Sequence, residues 1–263
     1  EYIKSCDWIV RRYLEMQLKT NNLTEQLENY YSILGHEGLG FTEIRYKDEA
    51  GFASLFVDTE HDFVCGIEEL DRVDSIKDIF VGINPRAVRS GMAKDVSYLC
   101  NLVTDIDNVT SKDTIKGPVT IDSGRGLHLY YPVKPIKVED YKALTERLRA
   151  WNKKQQSLYG ALGKVDHVFD LPRVMRCPGT TNYKNGSQCK ILNWDKSRFN
   201  LEDLLSDGEF DVGDYLLTHK DAHRIANSDG FKSRSEQVYA LVSQMAKDRV
   251  DRDDILYTLN ELE

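Results

Sequence analysis

Six short β-rich runs between residues 41 and 133 constrain the fold more than anything else in the chain. FTEIRY, FASLFV, IFVGIN, LCNLVTDID, GPVTID and LHLYYPV are divided by Gly, Pro, Asn and Asp signals, the punctuation of short strands. A long helix is predicted after the last of them, because EDYKALTERLRAWNKKQQSLYGAL places Tyr141, Leu144, Leu148 and Trp151 on one face. Strands with helices between them predict an α+β chain around a mixed or antiparallel sheet. Ahead of the strands, Cys6, Ile9, Val10 and Tyr13 recur at helical spacing, and NNLTEQLENYYSILG predicts a second helix capped by Asn22 and closed by Gly35. Beyond Phe199 the sequence turns acidic. Its last thirty residues return to helical spacing at Val238, Leu241, Val242 and Met245, and Asp251 or Asp253 could cap a further helix through Ile255 and Leu259. The expected division is a helical element over 1–35, a core domain over 36–200 and a helical module over 201–263. The chain stops in helix-forming sequence, as a piece of a longer protein would.

Composition narrows the class. Of 263 residues, 41% are hydrophobic and 30% charged, so a packed core is expected and wholesale disorder is excluded. No apolar run approaches a membrane span, and EYIKSCDWIVRRYLEM lacks a signal-peptide layout, which points to a cytoplasmic protein with no membrane partner. Cys6, Cys65, Cys100, Cys177 and Cys189 are scattered, odd in number and form no CxxC pair; reduced thiols are expected, and a zinc site at Cys177 and Cys189 lacks a second pair. The net charge of −8 argues against nucleic acid until its distribution is considered. Residues 130–190 hold twelve Lys or Arg against five Asp or Glu, a local +7, leaving −15 elsewhere. That is either a basic face on an acidic body or an ordinary solvated helix surface.

Three stretches could carry chemistry. In TDIDNV, Asp105 and Asp107 project from one side of a strand, roughly 6.6 Å apart. Unpaired carboxylates so close repel one another, and Mg²⁺ or Mn²⁺ would resolve the conflict with hard oxygen ligands. The alternative is a strand-ending turn, which Asp and Asn also favour. IDSGRGLHLYY predicts a hairpin whose bend offers Ser123, Arg125, free backbone amides and, on the outgoing strand, His128, together able to hold phosphate oxygens. There His128 shares a face with Tyr130 while Leu127, Leu129 and Tyr131 face away. KVDHVFDLPRVMRCPGTTNYKNG offers Asp166 as a third metal carboxylate, with Asp170 as its rival, and Arg173, Arg176 and Lys184 as cations for a triphosphate. Carboxylates for two metals, donors for phosphates and a basic surface are the combination phosphoryl transfer needs.

The order DxD, SGxGxH, then VD followed by RxxRxPGTxNxK resembles the archaeo-eukaryotic primase superfamily, and is most similar to its primase-polymerase branch from plasmids, viruses and CRISPR-associated loci. VGINPR resembles a phrase of the same branch at Asn84, Pro85 and Arg86, so the likeness spans about residues 41–190; the tail from SRSEQVYALV is similar, more loosely, to the helical module that follows the catalytic domain. The resemblance implies an RRM-like sheet packed with a second α/β unit, metals at Asp105, Asp107 and Asp166, nucleotide phosphates at Ser123 and His128, and basic contacts from Arg176 and Lys184. It implies a primase and DNA polymerase that takes single-stranded DNA template, primer and dNTP or NTP, uses two divalent ions, and works with a fused or associated helicase or nuclease. The rival expectation is a replication or defence accessory that grips single-stranded DNA without catalysis. Gap filling or end repair would keep the fold and change the task.

Overall fold

The computed structural model describes residues 22–109, 112, 115, 117–205, 225, 233–248, 250 and 255. The expected first helix, over residues 2–19, lies outside them, as do Asp251, Asp253 and Leu259.

A first helix, α1, occupies residues 22–34 and ends at Gly35, whose φ of 63° takes the left-handed turn while its N–H donates to Tyr31 O at 3.0 Å. Next come β1 (Thr42–Lys47), β2 (Phe52–Val57), α2 (Glu60–Asp71) and β3 (Asp78–Gly82). The long central strand β4 (Tyr98–Asp107) follows, then the hairpin of β5 (Val119–Asp122) and β6 (Gly126–Lys137). The amphipathic helix α3 runs Tyr141–Tyr159, with Asp140 accepting from the Lys142 and Ala143 amides at its start. Short strands then alternate with loops: β7 (Lys164–Val165), β8 (Val174–Arg176), β9 (Thr181–Asn182), β10 (Ser187–Gln188) and β11 (Lys190–Asn193). The short α4 (Leu201–Leu205) and the later α5 (Arg234–Lys247) complete the described elements.

The fold is α+β with antiparallel sheets: one of order β2-β1-β3-β8, one of order β11-β5-β6-β4-β7, and a small β9-β10 ribbon. All six expected strands and the long helix are present. Alternation along β4 and β6 sends Val103 and Tyr130 into a core shared with Ile44, Ile79 and Val81 of the first sheet and with α1 and α2. Leu102, Leu127 and Leu129 face the other way, where α3 covers them with Leu148, Trp151 and Tyr159. Helix α1 belongs to that first core: Leu27, Tyr30 and Leu34 are fully buried, and the Tyr30 and Tyr130 hydroxyls meet at 2.7 Å. Leu241 and Met245 of α5 pack with Ile225, Val250 and Ile255 in a separate small cluster.

VGINPR stitches the two sheets together. The β4–β6 register shifts between Leu99 and Asn101, opposite a stretch of β6 that contains two prolines. Asn84 Oδ1 accepts from the Cys100 and Asn101 amides there, at 2.8 and 3.1 Å, replacing the interrupted ladder. Arg86, fully buried, donates to Glu43 Oε2, Pro172 O and Asn84 O at 2.9, 2.9 and 3.0 Å. Burial works against the Glu43 carboxylate, but hydrogen bonds from Arg86 and Arg45 outweigh it and hold its pKa below the ordinary value.

Cys177 and Cys189 are core residues whose thiols donate to the Pro178 and Arg176 carbonyls. Burial raises the pKa of both thiols strongly, so each stays protonated in the core. The four described cysteines are all free.

Candidate active site

Three neighbouring strands assemble the site, with β4 between β6 and β7. Asp105 pairs with His128 across the β4–β6 ladder and Asp107 with Gly126. On the other side Ile106 pairs with Val165 and Asp107 with Lys164, and the Asp166 amide donates to Asp105 O at 2.9 Å. Asp105 thus lies between His128 and Asp166, with Asp107 two residues along on the same face. Helix α3 fixes the third position from behind, where Asn152 Nδ2 donates to Asp166 O at 3.2 Å.

The carboxylates act on one another electrostatically. Burial first, then the charges of Asp107 and Asp166, push Asp105 up to about 7, against the opposing fields of Arg173 and Lys164. His128 Nε2 is 3.7 Å from Asp105 Oδ1, while Nδ1 is buried with no hydrogen-bond partner among the described residues. Burial, helped by the Arg176 charge, lowers the His128 pKa to about 4, so the ring is neutral near pH 7. Among the described residues, no three acidic, imidazole or thiol groups are arranged to hold a metal ion as they stand. Asp166 Oδ1 is 2.9 Å from Lys164 Nζ.

The hairpin forms where expected, and its bend corrects one expectation. Gly124 takes φ 94°, and a Cβ there would come within 2.9 Å of Ser187. The Gly124 amide is already donated to Asp122 Oδ1 at 2.8 Å and the Gly126 amide to Ser123 Oγ at 3.2 Å. These two glycine amides are therefore not free for a phosphate. The short bend turns these two amides inward, where the Asp122 and Ser123 side chains satisfy them. What remains outward is Arg125, exposed and 3.4 Å from Asn108 Oδ1; Ser123 is buried, and its hydroxyl accepts one hydrogen bond and keeps its own proton to donate.

The remaining cations divide. Arg173 is bound to Asp170 Oδ1 through Nε at 2.8 Å and to His167 O at 3.0 Å, so Asp170 has a partner of its own. Arg176 is buried against Asp78 with its guanidinium 4.9 Å above the Phe80 ring. Lys184 is exposed on the turn after β9. That turn is tied to the hairpin by Asn182 Nδ2, which donates to Ser123 O at 3.0 Å. Two cations escaped sequence reasoning: Lys164 beside Asp166, and Lys112, whose Nζ is 2.6 Å from Asp122 Oδ1. Lys164 sits one strand pairing from Asp107, a relation no linear motif carries. Of the local +7, Lys142, Arg147, Arg149, Lys153 and Lys154 lie on the exposed side of α3, where Arg147 and Arg149 pair with Glu202 and Glu146.

Three solved structures are similar in fold. The AEP domain of the cyanophage S-2L primase-polymerase is 16% identical, with a TM-score of 0.48, over 69% of this chain and 95% of that one. The catalytic domain of primase RepB′ in complex with initiator DNA is 12% identical, with a TM-score of 0.47, over 70% and 92%. Primase RepB′ itself is 11% identical, with a TM-score of 0.47, over 87% and 75%. No protein-family model and no curated protein matches the chain. Among the described residues, no helix is long and apolar enough to cross a membrane.

Proposed function

We propose that the protein is a template-dependent nucleotidyltransferase of the primase-polymerase kind, joining a 3′ hydroxyl to the α-phosphate of an incoming nucleotide with release of pyrophosphate. One observation carries the reading: β4 holds Asp105 and Asp107 on one face with His128 on the strand to one side and Asp166 on the other.

The donor set fits two divalent ions. Its ligands are hard carboxylate oxygens, and burial first, then the repulsion of Asp107 and Asp166, makes the ionised form of Asp105 costly until a cation joins it. Asp105, Asp107 and Asp166 would hold Mg²⁺ or Mn²⁺, which when bound favours the ionised 3′ hydroxyl and neutralises the triphosphate. The chain's own groups do the rest. Neutral His128, through its ring N–H, and the Ser123 hydroxyl offer hydrogen bonds to phosphate oxygens. Arg125 and Lys184, both exposed, meet the charge that spreads over the outer phosphates. Arg173 and Arg176 act by their fields, since both already have carboxylate partners.

A binder without catalysis would have no use for three acids on adjoining strands, whose repulsion is a standing cost. The deciding experiment measures labelled-nucleotide incorporation on unprimed single-stranded DNA with Mg²⁺ and with Mn²⁺, for wild type and Asp105→Ala/Asp107→Ala. Product from wild type alone, with the double variant at least about a hundredfold lower, is the expected outcome. Undiminished product from the double variant would end the metal assignment. A primed template then separates an initiator from an extender used in gap filling, and absence of product on both favours the DNA-gripping accessory.

A further inference from the structure

The sheet β2-β1-β3-β8 has one face in the core and one turned away from it. Lys47 is paired with Phe52 on one side and Asp78 on the other, and Phe80, two residues beyond Asp78, is paired with Arg176. Directly opposed residues, and residues two apart, share a face, so all of these project away from the core that takes Ile44, Ile79 and Val81.

That outer face has an unusual make-up. Phe52 is 65% exposed, and its ring centroid lies 6.3 Å from that of Phe80. A cation accompanies each ring: Lys47 Nζ is 5.9 Å from the Phe52 centroid and the Arg176 guanidinium 4.9 Å from that of Phe80. At the same end of the sheet Lys77 Nζ lies 5.5 Å from the ring of Tyr183, which is 52% exposed. An apolar protein partner burying these rings would also have to desolvate the ammonium groups beside them. A single nucleic-acid strand satisfies both features, because its bases stack on aromatic faces and its phosphates pair with the neighbouring cations. Position adds to chemistry. Tyr183 follows Asn182, whose Nδ2 donates to Ser123 O at 3.0 Å, so this end of the patch adjoins the hairpin bend at the carboxylate site.

We propose that this face is the platform on which a single-stranded DNA template lies, with bases stacked on Phe52, Phe80 and Tyr183 and phosphates met by Lys47 and Lys77. The choice of DNA rests on the nucleotidyl-transfer reading; the stacking surface does not.

The test is fluorescence polarisation of a labelled oligothymidylate of about twenty nucleotides with the full chain, across a salt series. Phe52→Ala removes an exposed ring and should fold normally; it is expected to weaken binding by about fivefold or more, with Phe52→Trp restoring it. Lys47→Ala/Lys77→Ala should flatten the log–log salt slope by about 1.4, the share of two phosphate contacts on a single strand. Affinity unchanged in both variants overturns the platform, as does a wild type that does not bind. A dimer in gel filtration that Phe52→Ala dissolves would assign the face to a second copy and likewise overturn it, and tighter binding of oligouridylate would overturn the choice of DNA. The two readings fail separately. Binding through Phe52 without nucleotide incorporation supports the platform and defeats transfer, whereas incorporation with Phe52-independent binding defeats the platform alone.

Discussion

Asp166 is held by its main chain and contested at its side chain. Its amide bonds to Asp105 O and its carbonyl to Asn152, so backbone geometry places it on the site, while its carboxylate rests on Lys164. An ion pair that exposed is worth little, and a divalent ion would displace it readily. Asp170, the rival in the same stretch, is bound by Arg173 through two nitrogens. Asp166→Asn is therefore expected to lower nucleotide incorporation at least about a hundredfold, and Asp170→Asn by less than about tenfold, the weight of one supporting hydrogen bond. Steady-state incorporation on a primed template checks both, and the reverse order would move the third ligand to Asp170. The sequence named both acids and could not rank them, because their contacts, a backbone pairing across strands for Asp166 and an ion pair for Asp170, are not carried by a linear motif. In the same way Gly124 and Gly126 marked the hairpin bend correctly, yet the use of their amides by Asp122 and Ser123 became visible only in three dimensions.

Among the elements, strand alternation was the legible signal. β4 and β6 have both faces covered, and their two sets of side chains separate cleanly into the α1 side and the α3 side. Helix α2 was less legible because Gly66 interrupts it. A Cβ at that position would sit 3.0 Å from Leu55 Cδ2, so the helix packs close to β2 at the residue that weakens the helical pattern. Strands β7 to β11 are two to four residues long, too short for any period to register. VGINPR was legible as a phrase, and its job lies within the fold: Asn84 closes the irregularity in β4, the strand that carries Asp105 and Asp107. Asn84→Ala leaves the Cys100 and Asn101 amides without their acceptor, at a cost of about 1–3 kcal/mol for each buried group. Urea unfolding should show that loss as a lower midpoint with an unchanged slope. A loss below about 0.5 kcal/mol would mean the strand re-pairs without it.

At the scale of the whole molecule, the buried titrating groups give stability a calculable pH dependence. His36 is fully buried, with Nε2 3.2 Å from Ile83 O and Nδ1 2.8 Å from Thr42 Oγ1. A carbonyl can only accept, so Nε2 carries the proton and Nδ1 accepts from the threonine. Burial lowers the His36 pKa to about 3, so the unfolded chain takes up a proton near pH 6.5 that the folded one refuses until far lower. His128, lowered to about 4, behaves the same way, and both therefore cost stability as pH falls below about 6.5. Asp105 runs the other way. Raised to about 7, it binds a proton in the folded state that the unfolded chain lacks until about pH 4, so acidification relieves it. The His128 and Asp105 contributions nearly cancel between about pH 6 and 4.5, leaving His36 to set a slope of about 1.4 kcal/mol per pH unit, stability falling with pH. Below the usual carboxylate range, protonation of Glu43 and release of Arg86 add to the loss. Chemical unfolding at pH 5 and pH 6 should differ by about that slope in the wild type and by less than half of it in His36→Asn, whose amide does not titrate. An equal slope in the two proteins would place the missing proton on another buried group and remove His36 from the account.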